Sequence, residues 1–498
     1  MQQRKTVVAV GVLAALAALY GGASWYSGRQ AEQAWQRAVA ELGTVVGPDA
    51  IAAQEYRRGV FSSQARLVLQ WTPPASDRDD QDGAGTQATP APRPLRLVVD
   101  SDVRHGPLPG ARLAAAAVDT RFALEGMDEP MRQALAQAEG PRLATVHHFD
   151  GSSDLHLRLP AGTIADDGAV LRWQELVYDG TLDSGGRRIS ARVAWPEWTL
   201  EGLQRDSAHA EEGLDDEDEE DDGSAPGAPA ERVTVVLRGM EGSAEIEMID
   251  GLWGLGPGTA QMRAASVQTR RLPAGNAPAQ ALLDLSGVDV QMQMTADAGT
   301  LGVDTRARAA GSIGPMQFDS IALHEQYERL DIEALRSVLQ GLWRGMSAAD
   351  AQPGELDAGQ RQALLEAAPR LVAARPAYQM QMEATVAGQT GRVAYGVQVK
   401  NAPPAEQLAG GAWLPALLSG GALHASVQMP RAWVGPLLQA TGQGEAGEDE
   451  VQALLQQAQG MGYVQVQDGQ VSSSLRLEGG HWTLNGRPFA APLGAFGR

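Results

Sequence analysis

The chain has 498 residues, with 40 Lys+Arg against 61 Asp+Glu and a formal net charge of −21. A hydrophobic content of 43 % suits folded domains. The absence of cysteine removes disulfides, thiolate metal sites, iron–sulfur clusters and cysteine nucleophiles together. The acidic balance speaks against a nucleic-acid partner, because phosphate binding needs a basic face.

Arg4 and Lys5 precede an uncharged run from Thr6 to Gly28. About 20 helical residues cross a hydrocarbon core of roughly 30 Å. Residues 1–28 therefore read as a membrane anchor with a short cytoplasmic tail, the membrane being entered through residues 6–28. Tyr20, Trp25 and Tyr26 lie where aromatic rings favour the interface. A cleaved signal ending at Gly21-Gly22-Ala23 is the competing reading, but the run is longer than a signal core. Ala31, Trp35, Ala38, Val39 and Leu42 recur at helical spacing, so residues 29–43 read as a helical stalk, stopped by Gly43 and Gly47-Pro48.

Residues 44–324 read as an antiparallel β body, in which the dominant period from residue 54 is two. Leu67/Leu69/Trp71, Leu95/Leu97/Val99, Leu155/Leu157/Leu159 and Ile189/Ala191/Val193/Trp195 alternate with polar residues. So do Val233/Val235/Leu237 and Val288/Val290/Met292/Met294. Successive strands without intervening helices imply an antiparallel sheet. Two inserts interrupt the pattern, 73–94 and 204–231, and both read as disordered hairpin loops. The second contains Glu211 to Asp222, where ten of twelve residues are acidic. It lacks the spaced ligands and glycine of a calcium loop.

Residues 325–498 read as an α+β region. Leu330, Ala334, Leu335, Val338 and Leu342 repeat at 3.6 residues, with Asp331 near the start. Leu364, Ala368, Leu371 and Val372 form a second helical stripe, ended by Pro376. Strands return at Tyr378–Val386 and Val393–Val399. Leu423–Met429 runs into helices at Arg431–Ala440 and Asp449–Gln459. A closing β-meander turns at Asp468-Gly469 and Gly479-Gly480. The fold class is mainly β (α+β): an N-terminal transmembrane helix, then a large elongated antiparallel β-sheet body with helices in the C-terminal third.

Chemical motifs are few. Gly254-Leu255-Gly256-Pro257-Gly258 lacks the Lys and spacing of a phosphate loop. His324-Glu325 lacks the second His of a zinc helix. His147, His148 and His156 lie near Asp150 and Asp154, and alternation places His148, Asp154 and His156 on one wet side as a weak candidate for metal. No catalytic set and no cofactor motif emerges. Met292, Met294, Met380 and Met382 sit at period two on apolar faces, as core filling or as a flexible lining for an acyl chain.

Several short elements resemble the YdgA-like family of Gram-negative bacterial envelope proteins, a domain of unknown function. One is the anchor end Gly21-Gly22-Ala23-Ser24-Trp25-Tyr26-Ser27-Gly28. A second is Tyr56-Arg57-Arg58-Gly59-Val60-Phe61-Ser62-Ser63, and a third the turn His105-Gly106-Pro107-Leu108-Pro109. Gly462-Tyr463-Val464 and Leu484-Asn485-Gly486-Arg487-Pro488 resemble the family's closing hairpin. The resemblance implies a single-pass anchor in the bacterial inner membrane and a periplasmic body, and it assigns no catalytic residues. The expected function is non-enzymatic, in envelope interaction or assembly. A lipid-binding or lipid-transfer protein using an apolar β-groove, on a plan resembling AsmA-like proteins, is the alternative. A metal-dependent hydrolase is the second alternative. Envelope proteins or phospholipid are the expected partners.

Overall fold

The computed structural model describes residues 2–47, 50–71, 94–127, 132, 139–166, 169–205, 231–249, 255–272, 279–346, 358–402, 420–440 and 447–489. The two inserts, apart from their flanks, and the Gly254 end of the glycine-rich segment fall outside them.

One helix, α1 (Gln2–Val46), opens the chain. Gly47, with φ +89, ends it, a conformation that glycine adopts without penalty. A first run of strands follows: β1 (Ile51–Arg58), β2 (Ser62–Trp71), β3 (Leu95–His105), β4 (Ala116–Glu125), β5 (Arg142–His147) and β6 (Ser153–Leu159). Next come β7 (Gly162–Asp166), β8 (Ala169–Trp173), β9 (Leu176–Leu182) and the long strands β10 (Arg188–Arg205), β11 (Glu231–Glu247), β12 (Gly258–Leu272), β13 (Gln280–Asp297), β14 (Thr300–Ile313) and β15 (Met316–Asp331). A helical hairpin, α2 (Ile332–Met346) and α3 (Ala358–Ala373), leads to β16 (Ala377–Val386), β17 (Gln389–Val399) and β18 (Gly421–Pro430). After α4 (Val434–Ala440) and α5 (Glu448–Gly460), the chain closes with β19 (Gln465–Gln467), β20 (Gln470–Glu478), β21 (His481–Leu484) and β22 (Arg487–Pro488).

All 22 of these strands belong to one antiparallel sheet. Its spine runs from β1 to β6, through β9 to β18, and on to β20, β21 and β22. The β7–β8 hairpin joins β10, and β19 joins β20. β15 crosses residue 324, so the sheet passes unbroken from the body into the C-terminal region.

Register pairing puts directly opposite residues on the same face. One such row runs from β1 to β20: Tyr56, Ala65, Ser101, Thr120, Leu143, Leu157, Tyr178, Val193, Gly242, Met262, Val290, Ala307, Leu323, Met382, Val393, Val427 and Ser473. At the usual strand spacing it is roughly 75 Å long. Apolar residues fill most of it, which is the physical content of the period-two pattern.

The phase of that pattern changes within the long strands. In β11 the apolar positions are Val233, Val235 and Leu237, then Met240, Ala244 and Ile246. Gly239 lies at the change with φ +60, and Gly287 does the same in β13. Each glycine reverses the pleat, so the apolar side stays on one face.

Helices pack on this apolar face. Ile332 and Leu335 of α2 cover the cluster of Ile246, Met294 and Leu301. Val451 and Leu455 of α5 cover Val471, with Val434 and Leu438 of α4 beside them. Asp331 caps α2, its Oδ1 accepting the Ala334 N–H at 2.8 Å. Among the described residues no helix is long and apolar enough to cross a membrane. The side chains up to residue 19, most of the run expected to do so, lie outside them.

Candidate functional site

The clearest convergence is the dock of α1 on the first four strands. Gly59 makes the β1–β2 turn, its N–H donating to Ser62 O at 2.9 Å. A Cβ there would come within 2.6 Å of the same oxygen, so the position needs glycine. The turn presents Val60 O to His105 Nδ1 at 3.1 Å. A carbonyl only accepts, so Nδ1 carries the proton and Nε2 accepts from the Ser63 hydroxyl at 2.8 Å. His105 is 1 % exposed and Ser63 3 %.

Above them lies α1. A Cβ at Gly28 would meet the His105 ring at 2.4 Å, and the buried Ser24 hydroxyl donates to Gly106 O. The Gly106–Pro107 bond is cis. Tyr20 stacks on Phe61 at 5.8 Å, and Trp35 meets Tyr56 at 5.6 Å. Arg58 pairs with Glu32 at 2.8 Å and lies 6.0 Å from the Trp25 ring. Positions 20, 24, 28, 32, 35 and 39 form one helical stripe. Burial is the largest cause of a raised Tyr56 pKa. The Ser63–His105 pair has the polarity of a nucleophile and its base. Both groups are sealed under Gly28, and the arrangement grips a helix.

The closing hairpin is a second joint. Asn485 and Gly486 both have positive φ, 51 and 76, as a tight hairpin turn requires. The Asn485 amide donates to Gly462 O at 2.8 Å and Tyr463 O at 3.1 Å, while its Oδ1 accepts Ser474 N–H at 2.8 Å.

The histidine cluster does not assemble as a metal site. His148 Nε2 lies 2.8 Å from Asp154 Oδ2, but His156 Nδ1 turns to Asp179 on β9 at 2.6 Å, and His147 to Ser153. Pairing of β6 with β9 supplies a nearer carboxylate to His156 than its own strand does. Among the described residues no three His, Asp or Glu side chains could hold a metal together. Burial, then the neighbouring His148, lowers the His147 pKa. Asp154, His156 and Asp179 instead line a polar depression of about 1290 Å³ with Arg192, Gln261 and Arg306.

The four methionines share the apolar face but not one environment. Met294 is 3 % exposed under α2, and Met292 packs beside it. Met380 is half-buried, whereas Met382 is 38 % exposed and Met262, in the same row, 44 %. Around Met380 lies a group that sequence reasoning missed. Tyr327 and Tyr378 are 4.7 Å apart, Tyr378 and Tyr395 6.1 Å, and the Tyr378 hydroxyl donates to Glu325 Oε1 at 3.1 Å. Desolvation, then Glu325, pushes the Tyr378 pKa up to about 12, so the phenol keeps its proton. The available signal was an acid at an inward position of Leu323-x-Glu325-x-Tyr327.

Fold and dock together define a protein of one helix-gripped antiparallel sheet. The family model of a bacterial protein of unknown function (DUF945) matches residues 3–492, and the chain belongs to that family. It is 28 % identical to Protein YdgA of Escherichia coli strain K12 over 170 residues, 31 % of this chain and 32 % of that one. It is 26 % identical to the Uncharacterized protein YihF of the same strain over 158 residues, 29 % of this chain and 31 % of that one. The chain thus spans about a third of the length of the curated relatives it matches. No solved structure matches.

Proposed function

We propose that this protein is a non-enzymatic, inner-membrane-anchored periplasmic protein that holds acyl chains along the apolar face of its sheet. The observation that carries the reading is the apolar row from Leu143 to Val427, in which Met262 and Met382 stay substantially exposed. A closed sandwich would have covered them with a second sheet. Apolar surface that soluble proteins normally bury marks a site for an apolar ligand. Flexible thioethers suit chains of varied shape.

Of the run 6–28 expected to enter the membrane, residues 6–19 precede the dock, roughly 21 Å of helix. From Tyr20 onward α1 belongs to the body, because Ser24 and Gly28 are covered by it. The dock then holds one end of the apolar row at the membrane surface.

A photoreactive residue placed at 262 or 382 of the full-length protein in cells tests this. Phosphate-labelled lipid is expected to cross-link there, and not at Arg306 on the opposite face. Equal labelling at all three positions, or none at 262 and 382, would sink the acyl-chain reading.

The role in envelope interaction or assembly keeps one specific support. Among the described residues β1 pairs only with β2, and its free edge borders a cavity of about 1080 Å³ against Trp35 and Val39 of α1. An unpaired edge can take up a strand from another protein. A photoreactive residue at Gln54 is expected to capture a protein partner in cells, and repeated failure to do so removes this role.

A further inference from the structure

The apolar face carries one acidic side chain that no cation answers. Glu325 lies on β15 between Thr305 of β14 and Met380 of β16. It makes no ion pair among the described residues. The arginines of this stretch are engaged elsewhere: Arg306 with Asp304, Arg308 with Asp289, Arg329 with Glu328.

One tyrosine, Tyr378, reaches that carboxylate, and the rings of Tyr327 and Tyr395 pack on either side of Tyr378. Tyr327 and Tyr378 are directly paired across β15 and β16, and Tyr395 follows on β17. The single Tyr378 O–H donated to Glu325 leaves the negative charge and most of the carboxylate lone pairs unsatisfied. Tyr327 is 37 % exposed, so the group is open on one side.

Aromatic faces attract cations, and the best-known use of such surfaces is recognition of alkylated ammonium groups. A weakly hydrated organic cation fits this setting better than an inorganic ion. One carboxylate supplies too few oxygens for calcium or magnesium. The apolar neighbours Val303 and Val397 can cover methylene groups but cannot replace a hydration shell.

We infer that Glu325, Tyr327, Tyr378 and Tyr395 form a binding site for an alkylammonium group, the amine of a phospholipid headgroup. That the amine belongs to a lipid rests on the acyl-chain reading above; recognition of the cation does not.

The test has two arms on the full-length protein. In the first, detergent-solubilised protein with labelled tyrosine rings is titrated with choline chloride, against sodium chloride at equal ionic strength. Saturable shifts are expected at the three tyrosines. Glu325→Gln and Tyr327→Leu weaken binding about tenfold, whereas Tyr378→Phe, which keeps the ring, leaves it little changed. Shifts that sodium chloride reproduces, or that persist in Glu325→Gln, overturn the site.

In the second arm, protein with a photoreactive residue at 382 is reconstituted in vesicles of phosphatidylcholine or of phosphatidylglycerol. Preferential capture of phosphatidylcholine, lost in Glu325→Gln, supports the headgroup assignment. Equal capture with intact choline binding overturns that assignment and leaves a site for a free amine. Choline binding with no lipid capture removes the acyl-chain reading and keeps the cation site. Lipid capture without choline binding does the reverse.

Discussion

Asp289 is a heavily bonded carboxylate on the polar face. It is 7 % exposed, and Arg263 and Gln261 donate to its Oδ2 at 2.9 and 3.1 Å, while Gln291 donates to Oδ1 at 2.9 Å. The Arg263 bond, set against desolvation, holds its pKa below the ordinary value of 3.8. A lowered folded-state pKa gives stabilisation that is complete above the unfolded value and lost as pH falls through the folded one. Asp289→Asn should therefore lower Tm at neutral pH, and the gap from the parent protein should close as pH falls below 3.8. Calorimetry across that range checks it; a gap independent of pH removes the electrostatic account. At Ala298 and Ala387 the residue scale also shows what sequence hides. Both hold φ near +50 in hairpin turns, at 48 and 47, ahead of Gly299 and Gly388. Alanine has no preference for that conformation, so strand pairing on either side imposes it. Asp468-Gly469 and Gly479-Gly480, with φ 51 and 73, 56 and 79, carry the turn chemistry openly.

At the scale of elements, α1 is defined by what grips it. The elements Tyr56–Ser63 and His105–Pro107, which resemble short family motifs in sequence, meet in space on one stripe of that helix. Gly28 is the tightest point, since any Cβ would strike the His105 ring. Gly28→Val is expected to free α1 from the sheet without unfolding it. Hydrogen exchange should rise in residues 29–46 and stay unchanged in β10–β14. Gly21→Val, where a Cβ would meet nothing within 4 Å, serves as the control. Equal exchange in both variants would show that the dock does not depend on this contact. The stripe is partly readable as helical spacing, and Trp35 and Val39 are on it. Ser24 and Gly28 are not readable as dock residues, because a small residue in an apolar run looks like membrane sequence until the strands covering it are placed. The same limit applied to the histidines. Alternation ordered His156 and Asp154 on one strand face correctly, but Asp179, the carboxylate that His156 takes, lies 23 residues away on another strand.

For the whole molecule, the consequence of one sheet is that both of its faces meet solvent or helices. Met262→Glu and Met382→Glu place charges on the exposed part of the apolar row. Each is expected to fold with little loss of stability, because these side chains are 44 % and 38 % exposed. Each should also reduce the phospholipid that copurifies with the full-length protein, measured by mass spectrometry. Unchanged lipid in both variants would detach the row from lipid handling.

By itself the sequence determined the strand period, the antiparallel class, the capped helix after Asp331, the closing turns and the family. These depend on local spacing and on single residues with narrow backbone preferences. Tertiary structure alone decided that every described strand joins one sheet. Pleat reversals at Gly239 and Gly287 keep the apolar side continuous although its parity in the chain changes. Tertiary structure also decided that the Tyr56–Ser63 and His105–Pro107 motifs close on a helix, and that Glu325 meets Tyr378 of a three-tyrosine cluster among apolar neighbours. Those outcomes depend on register between strands, a relation between distant segments that no local pattern encodes.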